Sequence, residues 1–140
     1  GMTSPADYEA FLRMCRAHES GKRLPRGSVP YTRYFLCDTD GTIYAQGDVR
    51  HYPSESLTRF EGYLGYGTVP DYRGMGFGTQ ICRLLLEKAK QWGYNEVIIT
   101  CNIENQASAR IIEKNGGKLI EICYWEQQRS FMKRYCCQLV

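Results

Sequence analysis

"TVPDYRGMGFGT", Thr68 to Thr79, leaves an apolar segment through Pro70, carries Arg73 and three glycines at alternate positions, and enters a long helical pattern. Without a Cβ at 74, 76 and 78, the backbone can come close to a ligand. The first N–H groups of a helix lack internal partners and sit at the positive end of its dipole. A bare bend at a helix start therefore makes an anion site, most naturally for phosphate. The alternative is a tight turn that is merely rich in glycine. Spacing removes two nucleotide motifs. The dinucleotide fingerprint needs G-x-G-x-x-G, and Thr79 stands where its last glycine belongs. The G-K-[ST] phosphate loop needs a lysine, and the turn has none.

Downstream of the bend, "FGTQICRLLLEKAKQWG" carries Ile81, Leu85, Ala89 and Trp92 at helical spacing and ends at Gly93, a C-cap residue. "NEVIITCN" predicts a buried strand, and "NQASARIIEKNGG" a helix opened by Asn105 and closed by Gly116–Gly117. "KLIEICYW" and "FMKRYCCQLV" predict two closing strands around the connection "EQQRS". Upstream, "RFEGYLGYGTV" predicts a strand whose Gly62, Gly65 and Gly67 mark a bulge or a close approach. "YTRYFLCD" and "TIYAQGDVRHY" predict a hairpin around "DTDG", and "PSESLT" a loop. Residues 4–20 predict an amphipathic helix with Ser4 as N-cap and Pro5 at its first position, followed by the loop "GKRLPRGSVP". The expected architecture is a single α/β (α+β) domain over 2–140, with Gly1 read as a tag scar. It holds a mixed, mostly antiparallel sheet, a central parallel strand–helix–strand unit with a right-handed crossover, and flanking helices.

A net charge of +3 with dispersed Lys and Arg speaks against a dedicated nucleic-acid binder and leaves room for one local anion site. No apolar run is long enough for a membrane span, and no export signal opens the chain. The seven cysteines form an odd set without C-x-x-C spacing, and several lie in apolar runs where a thiol behaves as a small hydrophobe. A reducing, cytoplasmic setting is the expectation, with neither metal site nor disulfide framework.

Arg73-x-x-Gly76-x-Gly78 after Val69–Pro70 resembles the acetyl-CoA signature [Q/R]-x-x-G-x-[G/A] of the GNAT superfamily of N-acetyltransferases. "ITCNIENQASARIIEKNGG" is similar to that superfamily's second conserved region, so the resemblance covers roughly Phe60 to Glu121. "LPRGSVPYTRYFL" and "DVRHY" further resemble a bacterial subgroup of acetyltransferases. The resemblance implies that the glycine-bearing strand and the next one splay apart to admit the pantetheine arm. It implies Val69 as a backbone partner of pantetheine, and Arg73, Gly74, Met75, Gly76, Phe77, Gly78 and Thr79 around the pyrophosphate. Asn105 would reach the pantetheine or serve as a plain N-cap, and Ser108 would add a hydroxyl. Arg110 and Lys114 either face the 3′-phosphate or form a solvated helix face.

The implied reaction is direct attack by a primary amine of a small molecule or peptide on the thioester of acetyl-CoA. Such an amine, with a pKa of about 10.4, must lose a proton, and the departing thiolate must gain one. Glu61 is the candidate base, or else a solvent-facing charge at a strand end. His51 is a second candidate because of its near-neutral pKa, or else a packing or surface residue. Tyr63 shares a face with Glu61 if the strand is regular. The superfamily's usual tyrosine, seven residues after the helix asparagine, is Ile112 here, which leaves Tyr63, Tyr124 or solvent for the thiolate. The alternative is a catalytically weak or inactive module that binds acyl-CoA or a metabolite. The apolar stretch "FMKRYCCQLV" could pair across an edge into a homodimer.

Overall fold

The computed structural model describes residues 29–139, so the helix expected at 4–20 and most of the loop after it lie outside the described residues. The order is β1 (Tyr31–Cys37), β2 (Ile43–Arg50), a π-helical turn (Leu57–Glu61), β3 (Leu64–Thr68), a 3₁₀ turn (Pro70–Tyr72), α1 (Phe77–Gln91), β4 (Glu96–Asn102), α2 (Gln106–Lys114), β5 (Lys118–Trp125), a 3₁₀ turn (Glu126–Gln128) and β6 (Ser130–Gln138).

The strands form two three-stranded sheets, β1-β2-β3 and β4-β6-β5, and every recorded pairing is antiparallel. The strand–helix–strand unit expected at the centre is present as β3–α1–β4. Its strands are joined in neither sheet, so the single sheet of the sequence reading is split there. The chain-terminal strand also differs from expectation. β6 lies between β4 and β5 with both edges paired, which leaves β5 as the outer strand.

The predicted strand from Arg59 begins late. Leu57–Glu61 instead turns helically, its first amide capped by Ser54 Oγ at 3.2 Å, and Gly62 at φ 76° redirects the chain. A Cβ at Gly62 would lie 3.0 Å from Thr100 N and 3.2 Å from Ile98 O. That position needs glycine twice over, for its left-handed backbone and for the close approach to β4. The tie made there is Tyr63 N–H to Ile98 O at 2.8 Å.

α1 holds the halves together through its buried stripe of Ile81, Cys82, Leu85, Leu86 and Ala89. Leu85 fills the space that a side chain at Gly47 of β2 would take, while Ala45 and Val49 flank it without exposure. α2 buries Ala109 and Ile112 against the second sheet, whose Val97, Ile99, Tyr135 and Cys137 are almost fully enclosed. Each such aliphatic side chain contributes roughly 1.5–3 kcal/mol on burial.

Candidate functional site

At the bend the chain leaves β3 through Pro70–Tyr72 and passes Gly74 (φ 80°) and Gly76 (φ 87°) before α1. A Cβ at either glycine would meet no described atom within 4 Å, so no described residue fills the space over either one. Helix hydrogen bonding begins with Gln80 N–H to Gly76 O, and the amides of Gly74 to Thr79 have no partner among the described residues. Unpaired donors at the positive end of a helix form an anion cradle. Arg73 is exposed and makes no side-chain hydrogen bond or ion pair among the described residues. Met75 is 65% exposed.

Gly78 has a different task from the other two glycines. It is buried, and its Cβ would stand 2.6 Å from Ile111 Cδ1, so its bareness lets α1 pack against α2. The bend is also braced by aromatic rings that the sequence did not announce. Phe77 stacks on Tyr44 at 4.5 Å, and Tyr72 meets Tyr44 edge-on at 4.8 Å. Tyr44 donates its hydroxyl to Asp38 at 2.6 Å, and Asp38 also accepts from the amides of Asp40 and Thr42. The Tyr44 hydroxyl, followed by those amides, holds the Asp38 carboxyl below its ordinary pKa.

Beside the bend lies the division between the sheets. β3 pairs with β2 along its length and touches β4 at Tyr63. The Val69 N–H donates to Tyr44 O and its carbonyl accepts from Tyr72 N, both at 2.9 Å. With Val69 turned to β2, strand alternation directs the main-chain groups of Tyr66 and Thr68 toward the gap.

α2 begins on the far side of that gap. Asn105 is its N-cap, accepting from Ser108 N at 3.1 Å through Oδ1, while its amide nitrogen has no partner among the described residues. The Ser108 hydroxyl meets the hydroxyl of Tyr66, which reaches across from β3, at 3.0 Å. Burial pushes the Tyr66 phenol well above its ordinary pKa, so it keeps its proton at neutral pH. Arg110 and Lys114 are both exposed. Ile112 is fully buried in the core.

The catalytic candidates are dispersed. Glu61 is exposed at the end of the helical turn, next to Gly62 at the base of the gap, and accepts from Ser56 Oγ at 2.9 Å. The regular strand that would put Tyr63 on its face is absent. Tyr63 is 8% exposed, stacks on Tyr94 at 5.3 Å, and has its hydroxyl 3.0 Å from Thr58 Oγ1. His51 follows the end of β2, with its ring 4.2 Å from Trp92 and Nε2 bonded to Thr32 Oγ1 at 2.9 Å. Tyr124 lies on outer strand β5 against Phe131. Among the described residues no group of His, Cys, Asp and Glu is placed to hold a metal ion, and no helix is long and apolar enough to cross a membrane.

Comparison with known proteins bears on the fold and the family. The model of the acetyltransferase (GNAT) domain matches residues 2–118. Among solved structures, the Salmonella typhimurium protein yncA, determined with its cofactor acetyl-CoA, superposes with TM-score 0.64 at 14% identity, covering 100% of this chain and 76% of that one. A GNAT-family acetyltransferase from Bacillus anthracis gives 0.65 at 14%, covering 99% and 77%. A mutant form of the spermidine N-acetyltransferase SpeG from Vibrio cholerae gives 0.66 at 12%, covering 94% and 75%. No curated protein matches the sequence. Those structures share the fold, and the domain match spans most of the chain: the protein belongs to the GNAT family of N-acetyltransferases.

Proposed function

We propose that this chain binds acetyl-CoA along the bend and the gap and moves its acetyl group to a primary amine of a small molecule or peptide by direct attack. The observation that carries this reading is the run of amides from Gly74 to Thr79 without a partner among the described residues, with no described atom over Gly74 and Gly76. They would hold the pyrophosphate, with Arg73 adding charge. The main-chain groups of Tyr66 and Thr68, and the free amide nitrogen of Asn105, would hold the pantetheine. Acetyl-CoA supplies the activated acetyl carbon: a C–N bond forms to the amine as the C–S bond breaks, and the thiolate leaves with coenzyme A.

Glu61 would take the proton that the amine gives up, directly or through water. Tyr66 would give its proton to the departing sulfur, standing in for the missing tyrosine at Ile112. Replacing a positioned base costs about a hundredfold or more in rate, so Glu61→Gln is expected to lower kcat by that factor with the KM for acetyl-CoA unchanged. Steady-state thiol release checks both.

The cofactor claim has its own test. A ligand present at a hundred times its Kd stabilises the native state by about 2.7 kcal/mol. Acetyl-CoA is expected to raise the melting temperature of the parent protein and not that of Gly76→Glu, whose carboxylate would occupy the cradle. Thiol release that depends on added amine then separates an enzyme from the second reading, a module that binds acyl-CoA without transferring it. A cytoplasmic setting belongs to the same proposal. So does a homodimer, with its edge moved to β5, where Leu119, Ile122, Tyr124 and neighbouring Phe131 are about half exposed. Light scattering that shows only monomer at high concentration removes the homodimer.

A further inference from the structure

On the face of the first sheet turned away from α1, Arg33 and Asp48 stand directly opposite each other across β1 and β2. Arg33 Nη2 donates to Asp48 Oδ2 at 3.0 Å, while Arg50 Nη1 lies 3.9 Å from Oδ1, too far for a hydrogen bond. Tyr31 lies beneath both guanidinium groups, 5.3 and 4.9 Å from its ring centre. Asp48 is only 7% exposed, and its buried Oδ1 accepts no hydrogen bond from the described residues. Leaving a buried acceptor unmade costs about 1–3 kcal/mol.

On β3 that oxygen faces a lane of glycine. Asp48 pairs with Gly65 of β3, and a Cβ there would stand 3.1 Å from Oδ1. At Gly67, next on the same face, a Cβ would meet no described atom within 4 Å. β3 is also the strand that borders the gap, so the lane runs beside the proposed path of the thioester. A cross-strand ion pair that only fastened β1 to β2 would need Arg33 and one carboxylate oxygen. It would not account for the oxygen that no described residue serves.

We propose that, within the acetyl transfer proposed above, this cluster seats the acceptor, and that the acceptor is an amine bearing its own carboxylate: an α-amino acid or a close analogue. Asp48 Oδ1 accepts one N–H of the amine, which leaves the nitrogen lone pair free for the thioester, and Arg50 pairs with the carboxylate. Arg50, whose carboxylate neighbour among the described residues is Asp48 at 3.9 Å, adds positive charge beside the Arg33–Asp48 pair. That charge attracts an acid and repels a polyamine.

The test is calorimetric titration of the full chain, with and without coenzyme A, using the common α-amino acids and, for each, the amine that lacks the carboxylate. At least one amino acid is expected to bind about tenfold or more tightly than its amine, which is the worth of roughly 1.4 kcal/mol. Arg50→Gln is expected to erase that preference and Arg50→Lys to retain most of it, with coenzyme A binding equal in all three. Amines that bind as tightly as their amino acids overturn the proposal. So do a preference that survives Arg50→Gln, and a protein that binds coenzyme A but none of the amino acids. Failure of coenzyme A to bind would instead strike the acetyl-transfer reading, and the titrations without it would still decide this one.

Discussion

Glycines that look alike in "RGMGFGT" have separate physical duties, and single substitutions distinguish them. Gly78→Ala drives a methyl into Ile111, and overpacking of this kind costs about 1–3 kcal/mol. Urea unfolding should show that loss, and Ile111→Val, which removes the clashing carbon, should restore much of it. Gly76→Ala meets open space and pays only for its left-handed backbone, about 1–2 kcal/mol. Asn105 allows a similar separation, because its oxygen caps α2 while its nitrogen has no partner among the described residues. Asn105→Ala should lower stability by about 1 kcal/mol through loss of the cap. Asn105→Asp should keep the cap but weaken acetyl-CoA by about threefold or more, since a neutral hydrogen bond is worth about 0.5–1.5 kcal/mol. Calorimetry on the two variants checks both halves of that statement.

Among the elements, the unzipped boundary between β3 and β4 decides whether a thioester can be seated. The amides of Gly65 and Gly67 face β2, whereas those of Tyr66 and Thr68 face the gap. Amide exchange in the free protein should therefore alternate along β3, slow at 65 and 67 and fast at 66 and 68. Uniform slow exchange would mean that the strands are closed. Much of this scale was legible in the sequence. Helical spacing placed α1 and α2, and the glycines of "RFEGYLGYGTV" marked a strand under unusual constraint. Other features were hidden because they depend on partners far along the chain. Nothing local to Arg59–Glu61 shows that Gly62 must press against Ile98 and Thr100, so the local pattern there predicts strand in place of the helical turn. Nor does "FMKRYCCQLV" reveal that β5 and β4 will take both its edges, since apolar composition is the same for a central strand and a sticky one. The site divides along the same line. Gly74, Gly76 and Asn105 announced themselves through backbone needs. Tyr44, Tyr72 and Asp38, which brace the bend, are scattered residues that only the folded chain unites.

For the whole molecule, the core that joins the sheets is lined with groups that must stay neutral. Burial lifts the Cys82 thiol to about 12 and that of Cys137 to about 11, from an ordinary 9.0, and lifts the Tyr94 phenol to about 12. Each group ionises more readily in the unfolded chain, which therefore binds fewer protons once the pH passes about 9. Stability is full below that point and is lost as pH rises through 11 to 12. A urea midpoint that stays level across that range would contradict the buried placement of these side chains.

The central claim is that open backbone donors, rather than a charged side chain alone, receive the diphosphate. Its most direct measurement is the amide spectrum of the full chain titrated with acetyl-CoA, read residue by residue for shift and exchange. Gly74 to Thr79 should move together and become protected, followed by Tyr66 and Thr68, while the amides of β5 and β6 stay as they were. Saturable binding that leaves Gly74 to Thr79 unmoved would contradict the account.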